Sequence, residues 1–374
     1  MREDRAAPRK GRGATFNPEN RFRRDAREAC DDGWSESPVD EEPPRLRTTV
    51  TIQNARTILA RNDSPDVPFN QSINPYQGCE HGCIYCFARP SHAFLDLSPG
   101  LDFETRLFAK PNAPQLLRRE LAKPGYVCDP IAFGTNTDPY QPIEREWKIT
   151  RALLEVLCEC EHPFTVVTKN ALVERDIDLI APMAAKNMAR VAISITTLDR
   201  SLARKLEPRA SAPERRLEAL RNLTDAGIPV GVMTAPIIPQ LTDKDLEAIL
   251  EAAATHGAQF AGWVMLRLPR EVSPLFRDWL DTHYPQRAAH VMSIVRQIQG
   301  GRDYDSSWGT RMRGSGEYAK LIEKRFELAC RRFGLNRSRA VDDERTTVRA
   351  HFALDTTRFR PPVEKSASGQ LDLF

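Results

Sequence analysis

Short apolar runs alternate with longer amphipathic stretches through the middle of the chain. The runs have the length and bounding turn residues of buried strands, and the stretches between them repeat with the period of a helix. This alternation predicts six β-α units and a parallel sheet with right-handed crossovers, either open and doubly wound or closed into a full or partial barrel. The predicted strands cover residues 72–76, 131–135, 164–168, 191–197, 230–237 and 260–268. The predicted helices cover residues 144–160, 177–187, 213–226 and 241–255.

The two ends of the chain lack this alternation. Residues 1–48 have no apolar periodicity, and basic positions are followed by an acidic run. We therefore predict a disordered, solvated tail there, with a basic arm for a polyanion as the alternative. Residues 49–270 would form the core, and residues 271–335 a helical extension. The polar, proline-bearing residues 336–374 predict a flexible tail.

The composition is typical of a soluble globular protein. Of 374 residues, 41% are hydrophobic and 28% are charged. No apolar run approaches the roughly 20 residues that a membrane span requires, and the amino terminus lacks the apolar segment of a secretory signal. We expect a cytoplasmic protein whose eight cysteines are reduced and available as ligands. A net charge of +3 does not by itself indicate a nucleic-acid partner.

Parallel β-α architectures place their chemistry at the carboxyl ends of the strands. Side chains at these ends could converge on one ligand, although Ser, Thr, Asn and Asp there also cap helices. Lys169 does not fit the capping role, because an ammonium group offers no acceptor. The strand ends in question are 135–138, 168–170, 194–197, 235–237 and Arg267.

Three cysteines, Cys79, Cys83 and Cys86, follow the first predicted strand. Their spacing supplies three thiolates, one short of the four that close a usual iron–sulfur site, so one iron would remain open to a ligand. A zinc site that adds His81 is the alternative, but its four ligands would have to come from eight consecutive residues. Incidental clustering of free cysteines is a third interpretation.

These cysteines, with the aromatic Tyr85 before the last of them, resemble the signature of the radical SAM superfamily. The likeness extends over roughly residues 50–335 to the branch that resembles spore photoproduct lyase, and within it to an uncharacterised bacterial subfamily. It implies a partial barrel of six β-α units. The matching segments are 74–79, 86–89, 134–138, 206–209 and 235–239.

The resemblance also implies cofactors and their contacts. The three cysteines would hold a 4Fe–4S cluster whose fourth iron binds S-adenosylmethionine. An electron from a low-potential donor would cleave the sulfonium bond and produce a 5′-deoxyadenosyl radical. Lys169 and Ser194 would bind the carboxylate of S-adenosylmethionine. Its amino end would meet Asn136, Thr137 and Asp138, and its adenine would meet Tyr85, Ala235, Pro236 and Ile237.

The sequence departs from the lyase in one respect. The lyase carries a hydrogen-donating cysteine just before the second-strand polar motif, whereas this chain has Gly134 and Thr135 there. Cys128 precedes the strand and should lie at the opposite end of the barrel. Tyr140 is considered as another hydrogen donor, although a packed or exposed phenol is an ordinary role for it. The lyase's own reaction is therefore not carried over.

The last five residues differ from the polar stretch before them. Gln370, Leu371, Asp372, Leu373 and Phe374 resemble the bacterial sliding-clamp-binding motif. They would bind the clamp as a tethered ligand and bring the protein to DNA, or else pack back onto the barrel.

Three functions follow from these features. The first is a radical SAM enzyme that acts on DNA, in lesion repair or base modification. The second is radical modification of RNA, a peptide or a metabolite. The third, of a different class, is a non-catalytic, metal-stabilised nucleic-acid adaptor.

Overall fold

The fold is built around a sheet of mostly parallel strands. The computed structural model describes residues 9–23, 46–337 and 353–362. The strands are β1 (Thr49–Ile52), β2 (Leu59–Arg61), β3 (Gln71–Ile73), β4 (Tyr76–Gln77), β5 (Arg106–Ala109), β6 (Ile131–Phe133), β7 (Phe164–Thr168), β8 (Ala189–Ser194), β9 (Val230–Ile237) and β10 (Phe260–Met265).

Six of these strands are parallel neighbours in the order β10-β9-β8-β7-β6-β3, and β2 is added antiparallel beside β3. In the described part of the chain the two edges, β10 and β2, do not pair with each other, so the sheet is open. Consecutive strands lie side by side, which is the outcome expected of right-handed β-α crossovers. The predicted partial barrel of six β-α units is confirmed.

Helices follow the strands and pack on the sheet. Their apolar faces and the strands form one large core, in which side chains such as Phe133, Phe164 and Val191 are fully buried. The helices are α1 (Leu101–Thr105), α2 (Ala113–Leu121), α3 (Glu144–Trp147), α4 (Ile149–Glu159), α5 (Ile177–Ala185), α6 (Arg200–Leu206), α7 (Pro213–Asp225), α8 (Leu246–Thr255), α9 (Val272–His283), α10 (Pro285–Ile298) and α11 (Gly316–Phe333). Short 3₁₀ turns cover Arg89–Leu95, Ala171–Asp176 and Asp243–Asp245.

Several element boundaries differ from the sequence-based expectation. The helix predicted over 144–160 is divided at Lys148, which has a φ of +50° and ends α3. The strand predicted over 131–135 ends at Phe133, because Gly134 turns the chain with a φ of +89°. The strands over 164–168 and 230–237 have the predicted bounds.

A second, smaller sheet was not predicted. It has the order β1-β5-β4, with β1 and β5 parallel and β4 antiparallel to β5. Its strands are four residues or fewer, too short for a readable period. It matters for the site because β4 ends at Gln77, two residues before Cys79.

Residues 9–23, which fall within the predicted amino-terminal tail, pack against the core. Ala14 is 1% exposed, and the backbone N–H groups of Gly13 and Ala14 each donate to the Glu104 carboxylate at 2.9 Å. The Arg12 guanidinium donates to the backbone carbonyl oxygens of Glu104 and Leu46 at 2.8 and 2.7 Å. A buried carboxylate needs such donors, and this segment supplies them.

Residues 353–362, which fall within the predicted carboxyl-terminal tail, contact the core. Leu354 is buried, and the Phe359 ring lies 5.5 Å from that of Tyr126 and 5.1 Å from that of His162. Apolar contact with the core therefore holds this segment. The clamp-like motif at residues 370–374 lies outside the described residues.

Among the helices of the described residues, none has the length and apolar character needed to cross a membrane.

A methyl group at Gly13 should detach the amino-terminal segment. Its Cβ atom would lie 1.9 Å from the carbonyl oxygen of Gly82, which is backbone and cannot move aside cheaply. We expect Gly13→Ala to lower the melting temperature and to let trypsin cut at Arg12, which is only 8% exposed in the unchanged protein. Limited proteolysis with mass spectrometry measures this, with cleavage at the exposed Arg145 as reference. Unchanged protection of Arg12 would contradict the packing described.

Candidate active site

One cavity of about 210 Å³ opens at the carboxyl ends of the parallel strands. Its wall combines the cysteine loop with residues that follow β6 and β7, that end β8 and β9, and that end or follow β10. The structure thus brings most of the predicted site residues together. Those that line the cavity are Cys79, Cys83, Cys86, Tyr85, Asn136, Thr137, Asp138, Lys169, Ser194, Ala235 and Pro236.

The three cysteines lie in the loop that follows β4. Cys79 and Cys83 are buried, and Cys86 is partly exposed. Burial raises the pKa of all three thiols. At Cys86 the positive charges of Arg89 and Lys169 offset part of this rise in pKa. Because a coordinated metal deprotonates a thiol, a bound metal centre would remove the cost of ionising this set.

Arg89 fixes the backbone of the cysteine loop. Its fully buried guanidinium donates to the carbonyl oxygens of Cys83 at 2.9 Å and Gly82 at 3.2 Å, and to two carbonyl oxygens just before α1. The Glu104 carboxylate, also fully buried, accepts the remaining hydrogen bond and balances the charge. An arginine with every nitrogen engaged in this way holds the loop in one geometry.

A second buried ion pair supports the same loop. Glu207 and Arg216 pair with side chains that are 1% and 2% exposed. The Glu207 carboxylate also accepts hydrogen bonds from the hydroxyl groups of Tyr85 and Thr196. Burial alone would raise the pKa of Glu207, but the charges of Arg216 and Lys169, together with these hydrogen bonds, lower it to about 2. The ionised carboxylate therefore anchors Tyr85 beside the cavity.

The turn after β6 depends on Gly134 and Asn74. A Cβ atom at Gly134 would lie 2.1 Å from the carbonyl oxygen of Val167, so a larger residue does not fit. Asn74 Oδ1 accepts hydrogen bonds from the backbone N–H groups of Asn136 at 2.9 Å and Thr137 at 3.2 Å. These contacts place the turn against the cavity.

Asp138 lines the cavity, but neighbouring groups occupy its carboxylate. Oδ1 accepts from the Thr168 hydroxyl at 2.6 Å, and Oδ2 accepts from the Lys169 backbone N–H at 2.8 Å. His81 Nδ1 lies 3.4 Å from the same Oδ2. Burial would raise the pKa of Asp138, yet His81 and these hydrogen bonds lower it. Asp138 thus positions Lys169 and His81, which leaves less of its carboxylate for the predicted contact with the amino end of S-adenosylmethionine.

Lys169 and Ser194 present polar groups to the cavity. The Lys169 ammonium donates to the carbonyl oxygen of Ala235 at 3.3 Å and forms no salt bridge with a carboxylate among the described residues. Ser194 is 3% exposed, and its hydroxyl has no hydrogen-bond partner in the described part of the chain. Together they have the capacity to bind an anionic group.

Two residues considered for the site lie elsewhere. Ile237, predicted to contact adenine, is buried in the main apolar core and does not line the cavity. Tyr140, considered as a hydrogen donor, is fully buried and donates to Asp176 Oδ2 at 3.0 Å. The cysteines outside the loop that the structure describes do not line the cavity either; they are Cys128, Cys158, Cys160 and Cys330.

Several supporting residues were missed from the sequence. Glu104, Arg216 and His81 received no positioning role, because their partners come from other elements and no fixed spacing marks them. Arg89 and Glu207 did stand in the segments that carry the resemblance. Their position in those segments could have marked them as part of the site. The sequence alone, however, does not show that such charged side chains are buried.

The cysteine loop fits an iron–sulfur cluster better than a single zinc ion. Among the described residues, no three His, Cys, Asp or Glu side chains are arranged to bind one metal ion. A 4Fe–4S cluster takes each thiolate on a different iron and does not require the thiolates to meet at one point. The His81 ring, the proposed fourth zinc ligand, is instead directed to Asp138 and Asn170. Three thiols facing one cavity are thus a suitable donor set for a cluster.

Comparison with known proteins identifies the family. A model described as the radical SAM superfamily matches residues 73–253. An uncharacterised protein of Mycobacterium tuberculosis is 36% identical over 253 residues, 66% of this chain and 74% of that protein. The chain belongs to the radical SAM superfamily. The cofactors of this superfamily, a 4Fe–4S cluster and S-adenosylmethionine, are those of this protein. An uncharacterised protein of Methanocaldococcus jannaschii is 28% identical over 214 residues, 57% of this chain and 76% of its own length.

Solved structures of spore photoproduct lyase share the fold. Spore photoproduct lyase complexed with dinucleoside spore photoproduct matches with a TM-score of 0.54 at 17% identity, over 76% of this chain and 80% of the lyase. A lyase variant with bound AdoMet and dinucleoside spore photoproduct gives the same values. At this identity the likeness establishes the fold.

Replacing Glu207 should destabilise the protein and reduce its sensitivity to acid. Glu207→Gln leaves Arg216 buried without a counter-charge, at a cost of about 3–5 kcal/mol in unfolding free energy near neutral pH. The pKa of Glu207 is lower in the folded state than its ordinary 4.5, so the ion pair stabilises above that pH. This stabilisation disappears as the pH falls from about 4.5 to about 2.

Urea unfolding of the two proteins over this pH range provides the measurement. The difference in stability should shrink towards low pH. Glu218→Gln, which changes a 62% exposed carboxylate on α7, is the matched control and should cost little. Equal stability of Glu207→Gln and the unchanged protein at neutral pH would refute the role assigned to this pair.

Proposed function

We propose that this protein is a radical SAM enzyme that acts on DNA, in lesion repair or base modification. The observation that carries the proposal is the convergence of three cysteines, Lys169 and Ser194 on one cavity at the carboxyl ends of the strands. When bound, the reduced cluster and S-adenosylmethionine supply a 5′-deoxyadenosyl radical capable of abstracting hydrogen from a substrate. The protein contributes binding, orientation and exclusion of water.

Different residues of the chain bind the cluster and the parts of S-adenosylmethionine. Cys79, Cys83 and Cys86 hold the cluster in a loop that Arg89 keeps rigid. Lys169 and Ser194 bind the carboxylate of S-adenosylmethionine, since both line the cavity, the Lys169 ammonium pairs with no carboxylate among the described residues, and the Ser194 hydroxyl has no hydrogen-bond partner there. Asn136 and Thr137 lie near its amino end, and Tyr85, Ala235 and Pro236 line its adenine side.

Two features support DNA as the substrate. One is the terminal pentapeptide at residues 370–374, which resembles a sliding-clamp-binding motif. The other is the fold shared with a lyase whose structure was solved with a dinucleoside photoproduct. The lyase's reaction is not proposed for this protein, because Gly134 stands where the lyase has its cysteine and has no space for a Cβ atom.

Substrate-dependent formation of 5′-deoxyadenosine tests this function. Protein reconstituted anaerobically with iron and sulfide should produce 5′-deoxyadenosine from S-adenosylmethionine and a reductant, and DNA that contains the target should increase the yield. Damaged and undamaged DNA are compared by chromatography with mass spectrometry. Cys83→Ala should abolish product formation by removing a cluster ligand.

Cys128→Ala is the matched control, since this thiol precedes β6 and does not line the cavity. It should retain the iron content and turnover of the unchanged protein. Wild-type turnover in Cys83→Ala would refute the cluster assignment. A stimulation by RNA or peptide but by no DNA would refute the DNA substrate, and binding of zinc alone would favour an adaptor.

The terminal pentapeptide should be required for clamp binding. We expect an immobilised bacterial sliding clamp to retain the full chain, because Leu371, Leu373 and Phe374 would fill apolar pockets. Deletion of residues 370–374 should abolish retention. A chain whose last five residues are the same amino acids in scrambled order is the matched control for composition. Retention of the scrambled chain would show that the motif is not recognised.

A further inference from the structure

An arginine and an aromatic ring lie together at the cavity wall without a role so far. Arg267, two residues beyond the end of β10, lines the cavity, and its guanidinium carbon is 4.2 Å from the centroid of the Phe87 ring. Phe87 directly follows Cys86 and lines the same cavity. Its side chain is 46% exposed, whereas Tyr85 is 7% exposed. The Arg267–Phe87 pair is therefore on the solvent side of the cysteine loop.

The backbone that carries Arg267 is fixed. The Met265 N–H donates to the carbonyl oxygen of Met312 at 2.8 Å, and the Leu266 N–H donates to that of Ile237 at 3.0 Å. The position of the guanidinium is thus set by the edge of the sheet rather than by a free loop. A fixed cation at a cavity wall is suited to recognition of a ligand.

Arg267 differs from the other arginines around the site in its partners. Arg89, Arg216 and Arg311 each pair with a carboxylate. Arg267 makes no hydrogen bond or salt bridge with any residue that the structure describes. Burial disfavours the charged form of Arg267 and lowers its pKa. In the other three arginines a carboxylate balances the buried charge, whereas at Arg267 an anionic ligand could do so.

The chemistry of the pair favours a nucleotide strand. Guanidinium groups bind phosphate oxygens through two parallel hydrogen bonds. A partly exposed aromatic ring beside such a group is a platform on which a base can stack. In the proposed function Lys169 and Ser194, deeper in the cavity, bind the carboxylate of S-adenosylmethionine. Arg267 is therefore free to bind a second anionic group.

We propose that Arg267 binds a phosphodiester group of the DNA strand and that Phe87 stacks on an adjacent base, so that the pair guides the target nucleotide into the cavity. This inference rests on the proposed function and specifies how that site recognises its substrate.

Binding of a short, fluorescein-labelled single-stranded oligodeoxynucleotide to the reconstituted full chain tests the proposal. Arg267→Gln should weaken binding about tenfold, within the range for a hydrogen bond to a charged group. It should also make the slope of log affinity against log salt less negative by about 0.7, the contribution of one phosphate contact on a single strand. Phe87→Leu should weaken binding without changing the salt slope.

Two further variants keep the test specific. Arg221→Gln removes the same charge from an exposed position on α7 and should leave affinity and slope unchanged. Arg267→Lys keeps the charge without the bidentate geometry, so it should retain the salt slope but not the full affinity. Melting temperatures of all variants show whether a loss reflects unfolding.

The outcomes separate this inference from the proposed function. If the unchanged protein binds DNA and Arg267→Gln binds equally well with the same slope, the role of Arg267 is refuted while the proposed function stands. If Arg267→Gln loses affinity for S-adenosylmethionine in equilibrium dialysis but not for DNA, the arginine serves the cofactor and the inference is overturned. If the unchanged protein neither binds DNA nor responds to it in 5′-deoxyadenosine formation, both are refuted.

Discussion

The candidate site depends on two ion pairs that are buried beneath it, Arg89 with Glu104 and Arg216 with Glu207. Removing such charges from water costs several kcal/mol for each ion, and their mutual attraction does not by itself guarantee a net gain in stability. Their value lies in the remaining donors and acceptors. Arg89 binds the backbone of the cysteine loop, and Arg216 donates to the Ser194 carbonyl oxygen at 2.9 Å. The two pairs thus hold the backbone of Cys83 and Ser194, and with it the side chains that face the cavity, in place.

The cysteine loop is consequently not a self-contained metal-binding module. Its shape depends on Glu104 from α1, on Glu207 just after α6, and on residues 9–23, whose Gly13 and Ala14 satisfy the Glu104 carboxylate. A zinc knuckle draws its order mainly from the metal itself. Here contacts from the rest of the fold hold the loop, and Cys79 and Cys83 lie where burial opposes the ionisation of their thiols. This arrangement suits a cofactor that must be oriented relative to a second ligand.

The extent to which the sequence predicts this site follows from the range of the interactions. The strand 164–168 and the motif around Cys79 are encoded by neighbouring residues, so period and spacing identify them. The pairing of Arg89 with Glu104, and the packing of residues 9–23, join positions whose approach depends on the whole fold. A polar segment such as 9–23 also resembles a disordered tail, because its order comes from satisfying a buried carboxylate rather than from apolar burial of its own. Ile237 lies in the core although Ala235, two positions earlier on the same strand, lines the cavity. The pairing of β9 with β10 shifts register at this point, and strand periodicity in the sequence does not reveal such an irregularity.

The cavity has an inner and an outer part, and this division bears on what the enzyme can do. Within the cysteine loop, exposure rises from 7% at Tyr85 to 46% at Phe87, so two positions along the chain separate a buried inner part from a face that solvent reaches. At the inner part, Gly134 leaves no space for a side chain, because a Cβ atom there would lie 2.1 Å from the carbonyl oxygen of Val167. The phenol groups beside this region are engaged, since the hydroxyl of Tyr85 donates a hydrogen bond to Glu207 and that of Tyr140 to Asp176. A shared fold and shared cofactors therefore do not by themselves determine the product of a reaction, because that also depends on the side chains available locally in the cavity.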